Sequence, residues 1–198
     1  MAPTGTQGYR PVMPPAGHLL ALLLLVAPTA AVTRLVEGVE VAESASAGDR
    51  PLVLNGAGLR RQLFVRVYLA ALYLPARTGD AAAVLAADAP WRIDLTFQRD
   101  VDHHRILAAF TEAFERNSPG QLQALRAGLE SFHAVLTDLR SGQVLTLHYL
   151  PAAGTTLTAP GGAQATVPGR AFGEAMLRTW LGEHPTDPGL ARELLGGR

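Results

Sequence analysis

Residues 54–76, "LNGAGLRRQLFVRVYLAALYLPA", pose the first question about this chain. Asn55-Gly56 is a turn signal closing a short apolar strand, "LVLNGAG". The run "QLFVRVYLAALYLP" then reads as a second strand, β-branched and aromatic in its first half. Ala70-Ala71-Leu72 would also suit a helix. The second strand has apolar residues on both of its faces, so both faces are expected to be buried. Arg60 stands just before it. A guanidinium there is costly unless something anionic pairs with it. The partner is either an internal carboxylate, with Asp94 and Glu112 as candidates, or a ligand from outside; arginine's planar fork of donors suits a carboxylate in either case. Gly56 and Gly58 flanking Ala57 mark either a bulge or a close approach of the backbone to a ligand.

Composition narrows the function classes. The 198 residues suffice for one domain with a sizeable core, and 48% are apolar against 17% charged, which excludes a disordered chain. With 17 basic and 17 acidic side chains the formal net charge is zero, so no nucleic-acid partner is implied. There is no cysteine, hence no disulfide and no thiolate chemistry. An apolar run at residues 19–26 followed by small residues up to Ala31 reads as a secretory signal. It is far shorter than the roughly 20 residues a bilayer span needs. Residues 1–31 are therefore expected to be a signal peptide, residues 32–198 the mature domain without a stable membrane span, and the destination the periplasm or the extracellular space.

The rest of the chain runs strands, helix pair, strands, helix pair. "VEGVEVAES" is a short edge strand and residues 44–51 a polar loop. A short helix follows Asp80 as N-cap. "WRIDLTFQ" alternates, with Trp91, Ile93, Leu95 and Phe97 on one face. Ile106, Phe110, Ala113, Phe114 and Asn117 share a helical face, as do Leu122, Leu125, Leu129, Phe132 and Leu136. Three strand-like runs come next, with Gly161-Gly162 as a hairpin turn. Two helices end the chain, the first capped by Gly182, the second by Asp187 with Pro188 at its first position. Runs of each type imply an α+β fold with a mostly antiparallel sheet.

Chemical motifs are scarce. There is no phosphate loop, dinucleotide fingerprint, zinc-protease motif or nucleophile elbow. His103-His104 are neighbours about 100° apart on a helix, which does not suit shared metal ligation; they read as a solvated first turn, and no metal or cofactor is expected. His133, His148 and His184 are isolated in the sequence.

Gly56-Ala57-Gly58-Leu59-Arg60, followed by a strand ending Ala71-Leu72-Tyr73-Leu74, resembles the chalcone isomerase family, whose plant enzymes carry Gly-Ala-Gly-x-Arg before a strand ending Gly-Val-Tyr-Leu. The C-terminal "WLG" is similar to an exported bacterial branch. The resemblance implies an open-faced β-sandwich: a large antiparallel sheet against a layer of helices, with a ligand cleft between. It makes Arg60 the family arginine, Asn117 the cleft asparagine, and the helix carrying Phe110 and Phe114 the cavity-lining helix. The enzymes' helical tyrosine is Phe110 here, which counts against chalcone cyclisation. Their strand threonine is Tyr68, and Arg60 with Tyr68 is similar to the pair by which non-catalytic members hold a fatty-acid carboxylate.

Eight residues of one straight strand span roughly 26 Å, so Arg60 and Tyr68 meet only if the chain folds back, with Arg61-Gln62 the candidate turn. Arg66 shares strand parity with Tyr68 and is a substitute. Leu107 and Trp180 complete the expected tail site. Three functions are in play: a binder of a small apolar carboxylate such as a fatty acid, an isomerase acting on an unsaturated ketone, and an accessory domain contacting another protein through the hairpin at residues 153–168.

Overall fold

The computed structural model describes residues 32–197. The expected signal peptide, residues 1–31, lies outside them. Strands β1 (Thr33–Val36) and β2 (Val39–Ala42) form a separate hairpin closed by Glu37 and Gly38, both at positive φ. Seven further strands follow one another in a single antiparallel sheet: β3 (Ser44–Ala47), β4 (Arg50–Gln62), β5 (Val65–Leu74), β6 (Trp91–Phe97), β7 (Val144–Leu150), β8 (Gly154–Thr158) and β9 (Gln164–Val167). Helix α1 (Ala81–Ala86) lies between β5 and β6, α2 (His103–Asn117) and α3 (Leu122–His133) between β6 and β7, and α4 (Arg170–Leu181) and α5 (Pro188–Leu194) after β9. The sheet curls: β3, at one end of the strand order, also contacts β6 and β7. This is the expected open antiparallel sheet packed against helices.

The sheet has an apolar core on each face. Tyr68, Ala70, Leu72 and Leu74 of β5 and the odd-numbered residues of β6 pack under the helices, together with Phe110, Phe114, Phe172 and Trp180. Leu69, Ala71 and Tyr73 face the other way, against Leu52, Leu54, Val41 and Ala47. Burial on both sides is why 70–72 is strand despite its helix-tolerant composition. Residues 44–47, expected as loop, are strand because Ala45 and Ala47 alternate inward while the two serines face out. Asp80 and Asp187 cap their helices as expected, and Gly161 and Gly162 form the β8–β9 turn.

The Asn55-Gly56 turn signal fails. β4 runs straight through it with a bulge between Leu54 and Gly56. The glycines serve a close approach, and what approaches is α5. A Cβ on Gly56 would stand 2.2 Å from the Glu193 carbonyl oxygen and 2.5 Å from that of Leu194; one on Gly58 would meet the Glu193 carboxylate at 1.9 Å. Asn55 Nδ2 donates to the Leu194 carbonyl at 2.7 Å, and Asn55 Oδ1 accepts from the Thr78 N–H. β3 pairs only with Arg50–Val53, so beyond that point β4 lacks a strand neighbour on this side. The Leu59 N–H there donates to Glu193 Oε2 at 3.2 Å. The C-terminal helix thus covers a sheet edge that would otherwise be open.

Gly56→Ala is expected to destabilise the fold by about 1–3 kcal/mol, because the obstructing atoms are backbone. Gly58→Ala is expected to destabilise as well, because the Glu193 carboxylate can swing aside but its Cβ, 2.6 Å away, is fixed by the α5 backbone. Urea midpoints of the two variants will rank them.

Candidate functional site

β4 and β5 form one hairpin, and its turn is Leu63-Phe64 rather than Arg61-Gln62. Leu63 takes a φ of 56° and Phe64 is fully exposed. The turn sets Arg60 directly across from Tyr68, so the distance along one straight strand never applies. A second bulge follows, because Arg61 pairs with Arg66 and Val67 is the extra residue. That extra residue breaks the parity argument for Arg66. Its guanidinium is exposed and donates to the Glu37 carbonyl, away from Tyr68.

Arg60 and Tyr68 open onto a cleft of about 660 Å³ between sheet and helices. Leu95, Phe97, Ile106 and Phe110 line it, and Phe110 packs edge-on to Trp180 with centroids 6.2 Å apart. Exposed Arg99, Asp100, Asp102, Arg105 and Glu112 ring the mouth. The Arg60 guanidinium carbon is 5.7 Å from the centre of the Tyr68 ring. Among the described residues, Arg60 takes part in no ion pair. Both internal candidates are engaged elsewhere. Asp94 holds Arg92 at 2.8 and 3.0 Å and accepts from Thr146, while Glu112 pairs with Arg116.

Two hydroxyls complete the polar end. The Trp180 indole N–H donates to Tyr68 Oη at 3.1 Å, which leaves the phenol's own proton available for an acceptor in the cleft. Burial pushes the Tyr68 pKa up, opposed by the Arg60 charge and the Trp180 hydrogen bond, so the phenol is a neutral donor at pH 7. Thr179 also lines the cleft; its Oγ1 is buried and has no partner among the described residues. A buried, unpaired hydroxyl costs free energy that a ligand oxygen would recover. The sequence reading missed Thr179, although a threonine between Leu177 and Trp180 in an apolar helix was a signal.

The other expected residues lie apart from the cleft. Phe114 is fully buried in the core, edge-on to Phe172 at 5.5 Å. Leu107 and Trp180 pack behind the cleft walls rather than lining it. Asn117 ends α2 and clamps the loop after α4. Its Nδ2 donates to the carbonyls of Ala113 and His184, and its Oδ1 accepts from the His184 N–H. Gly182 is glycine because a Cβ there would stand 2.4 Å from Asn117 Oδ1.

The model of the family described as chalcone isomerase-like matches residues 33–196. The chain belongs to that family. A search of curated protein sequences finds no match. Among solved structures, the chain is similar to the fatty-acid binding protein AtFAP1 of Arabidopsis thaliana, with a TM-score of 0.65 at 16% identity, over 83% of this chain and 96% of that one. That likeness establishes a shared fold. Within this chalcone isomerase-like domain the cleft, its half-buried arginine and its two hydroxyls are features of the chain's own geometry.

Tyr68 shares its raised pKa with Tyr73 and Tyr149, both pushed to about 12: burial is the main cause in each, joined by Asp94 for Tyr73 and by the hydrogen bond to Asp88 for Tyr149. All three are expected to be missing from the ionisation step near pH 10 when native protein is titrated by ultraviolet absorbance, and to join it in urea. Above pH 10 the unfolded chain releases phenolic protons that the folded chain keeps. Stability is therefore expected to fall as pH rises from about 10 toward 12, with no contribution from these groups to its pH dependence below that window.

Proposed function

We propose that this chain is a non-catalytic binder of a small apolar carboxylate such as a fatty acid, and that it belongs to an exported bacterial branch of its family. The observation that carries the reading is Arg60: a half-buried guanidinium in an apolar cleft with no carboxylate of the chain paired to it among the described residues. A ligand carboxylate would satisfy it, with Tyr68 Oη and Thr179 Oγ1 as further donors. The alkyl part would lie on Phe97, Ile106 and Phe110. A cleft of about 660 Å³ is within the usual range for small-molecule sites, and an apolar wall with a few convergent polar groups is their ordinary composition. The fatty-acid binding activity of AtFAP1, a protein of the same fold, supports the same class of ligand. Among the described residues no helix is long and apolar enough to cross a membrane. The apolar run at residues 19–26 and the small residues after it support export.

Phe110 weighs against the isomerase reading, since it offers no hydroxyl where the enzymes have a tyrosine. Of the hairpin suggested as a protein contact, Gly154–Leu157 of β8 are buried between β7, β9 and α4, and only its turn and the end strand β9 present exposed residues.

Delipidated protein is expected to bind medium or long fatty acids. Arg60→Ala should weaken this by about 1.5–3 kcal/mol, the value of a charge-assisted hydrogen bond, and Thr179→Val by about 1 kcal/mol. Calorimetric affinities that do not change in the Arg60 variant would remove this residue from the site. In parallel, chalcone absorbance at high protein concentration is expected to decay no faster than in buffer. N-terminal sequencing of the secreted protein is expected to begin at Val32.

A further inference from the structure

Three histidines that are separate in purpose along the sequence meet in space. The His103 and His104 rings lie 3.9 Å apart, and both stand over His133, at 5.7 and 5.4 Å between centroids. One ring nitrogen from each lies within 4.8 Å of the corresponding atom of the other two. The adjacency that argued against His103 and His104 as joint ligands does not prevent this, because both occupy the first turn of α2 and His133 closes α3 opposite them.

The second observation is the way His103 is held. Asp138 Oδ1 accepts from both its backbone N–H, at 3.1 Å, and its ring Nδ1, at 2.7 Å. That hydrogen bond places the ring proton on Nδ1 and leaves the lone pair on Nε2. A carboxylate fixing a histidine's tautomer and orientation in this way is the usual support for a metal-ligating imidazole. Asp102, whose carboxylate also comes within 4.8 Å of the His103 and Asp138 atoms, caps α2 by accepting from the His104 N–H. The neighbouring Arg140 is held by Asp100 at 2.9 Å.

We propose that His103, His104 and His133 form a site for one divalent first-row transition ion of borderline softness, such as zinc. Asp138 is the positioning residue for His103, and solvent fills the remaining coordination. Three neutral imidazoles favour zinc, copper or nickel over magnesium or calcium, which take oxygen ligands. Tetrahedral zinc at ~2.0–2.1 Å from each nitrogen needs ligand atoms roughly 3.4 Å apart. The exposed His104 ring can close that gap by a modest rotation. The ion would join the start of α2 to the end of α3. It would thereby brace the helix whose Ile106 and Phe110 wall the cleft, without entering the carboxylate site itself.

Zinc chloride titrated calorimetrically into the untagged, metal-free full chain tests this. Expected is one ion per chain, with affinity reduced at least tenfold by His104→Ala and by His133→Ala. Asp138→Asn, which keeps an oxygen to accept from the His103 N–H, is expected to reduce it 10- to 100-fold with only a small fall in the metal-free melting temperature. His184→Ala, remote from the cluster, should bind as the parent does. Zinc should raise the melting temperature of the parent and not that of His104→Ala. His104 is exposed, so its variant keeps the test valid even if His133→Ala fails to fold. The proposal is overturned if the parent takes up no zinc, if His104→Ala binds as tightly as the parent, or if calcium competes on equal terms.

Discussion

A guanidinium facing a phenol across two paired strands is the contact on which the cleft depends. Arg60 and Tyr68 are opposed because the chain reverses at Leu63-Phe64, and the bulge at Val67 sets which side chains beyond that point face the helices. The same hairpin supplies the floor of both cores. From Tyr68 onward, even-numbered residues of β5 pack under the helices and odd-numbered ones pack on the far face. A slip of one residue would exchange the two sets and turn Tyr68 out of the cleft. The apolar residues on both faces of β5 therefore hold the register, and the register holds the arginine.

The arginine is available because its possible internal partners are engaged elsewhere. Asp94 lies on the far face of the sheet with Arg92 and Thr146, where Arg92 also reaches the Ser46 carbonyl of β3. Glu112 is turned along α2 to Arg116, one helical turn away. Around the polar end, Trp180 uses its N–H on the Tyr68 oxygen, and Thr179 leaves its hydroxyl unpaired. α4 thus contributes to the core and to the cleft through adjacent residues. Closing the fold falls to α5, which the two glycines of β4 admit to within van der Waals distance of the strand backbone. The Gly-Ala-Gly motif that drew attention as a ligand-approach signal is, in this chain, a helix-docking surface two to four residues along β4 from Arg60.

Much of the fold was legible in the sequence, and the failures have physical causes. The alternation in β6 and the apolar faces of α2 and α3 were readable because one side of each meets water. Asp80, Asp187 and the paired glycines at 161–162 marked ends that local chemistry dictates. Asn55-Gly56 misled because a turn dipeptide is permissive and does not compel a turn: the bulge and the docking of α5 used its freedom differently. The true turn, Leu63-Phe64, carries no turn signal at all. Residues 44–47 looked like loop because small residues disguise a buried alternation.

The sequence by itself determined the architecture, because periodicity and caps are local properties of the chain; it marked Arg60 only as a cation in need of an internal or external partner, and the family resemblance, not the spacing, pointed to Phe110. Only the tertiary structure decided that Tyr68 faces Arg60, that Arg66, Phe114 and Asn117 stand apart, that Thr179 joins the polar end, and that three histidines share one corner. Those outcomes rest on a turn, a bulge and the packing of helices distant in sequence. Contacts of that kind are set by where the cores close, and no single segment encodes where that happens.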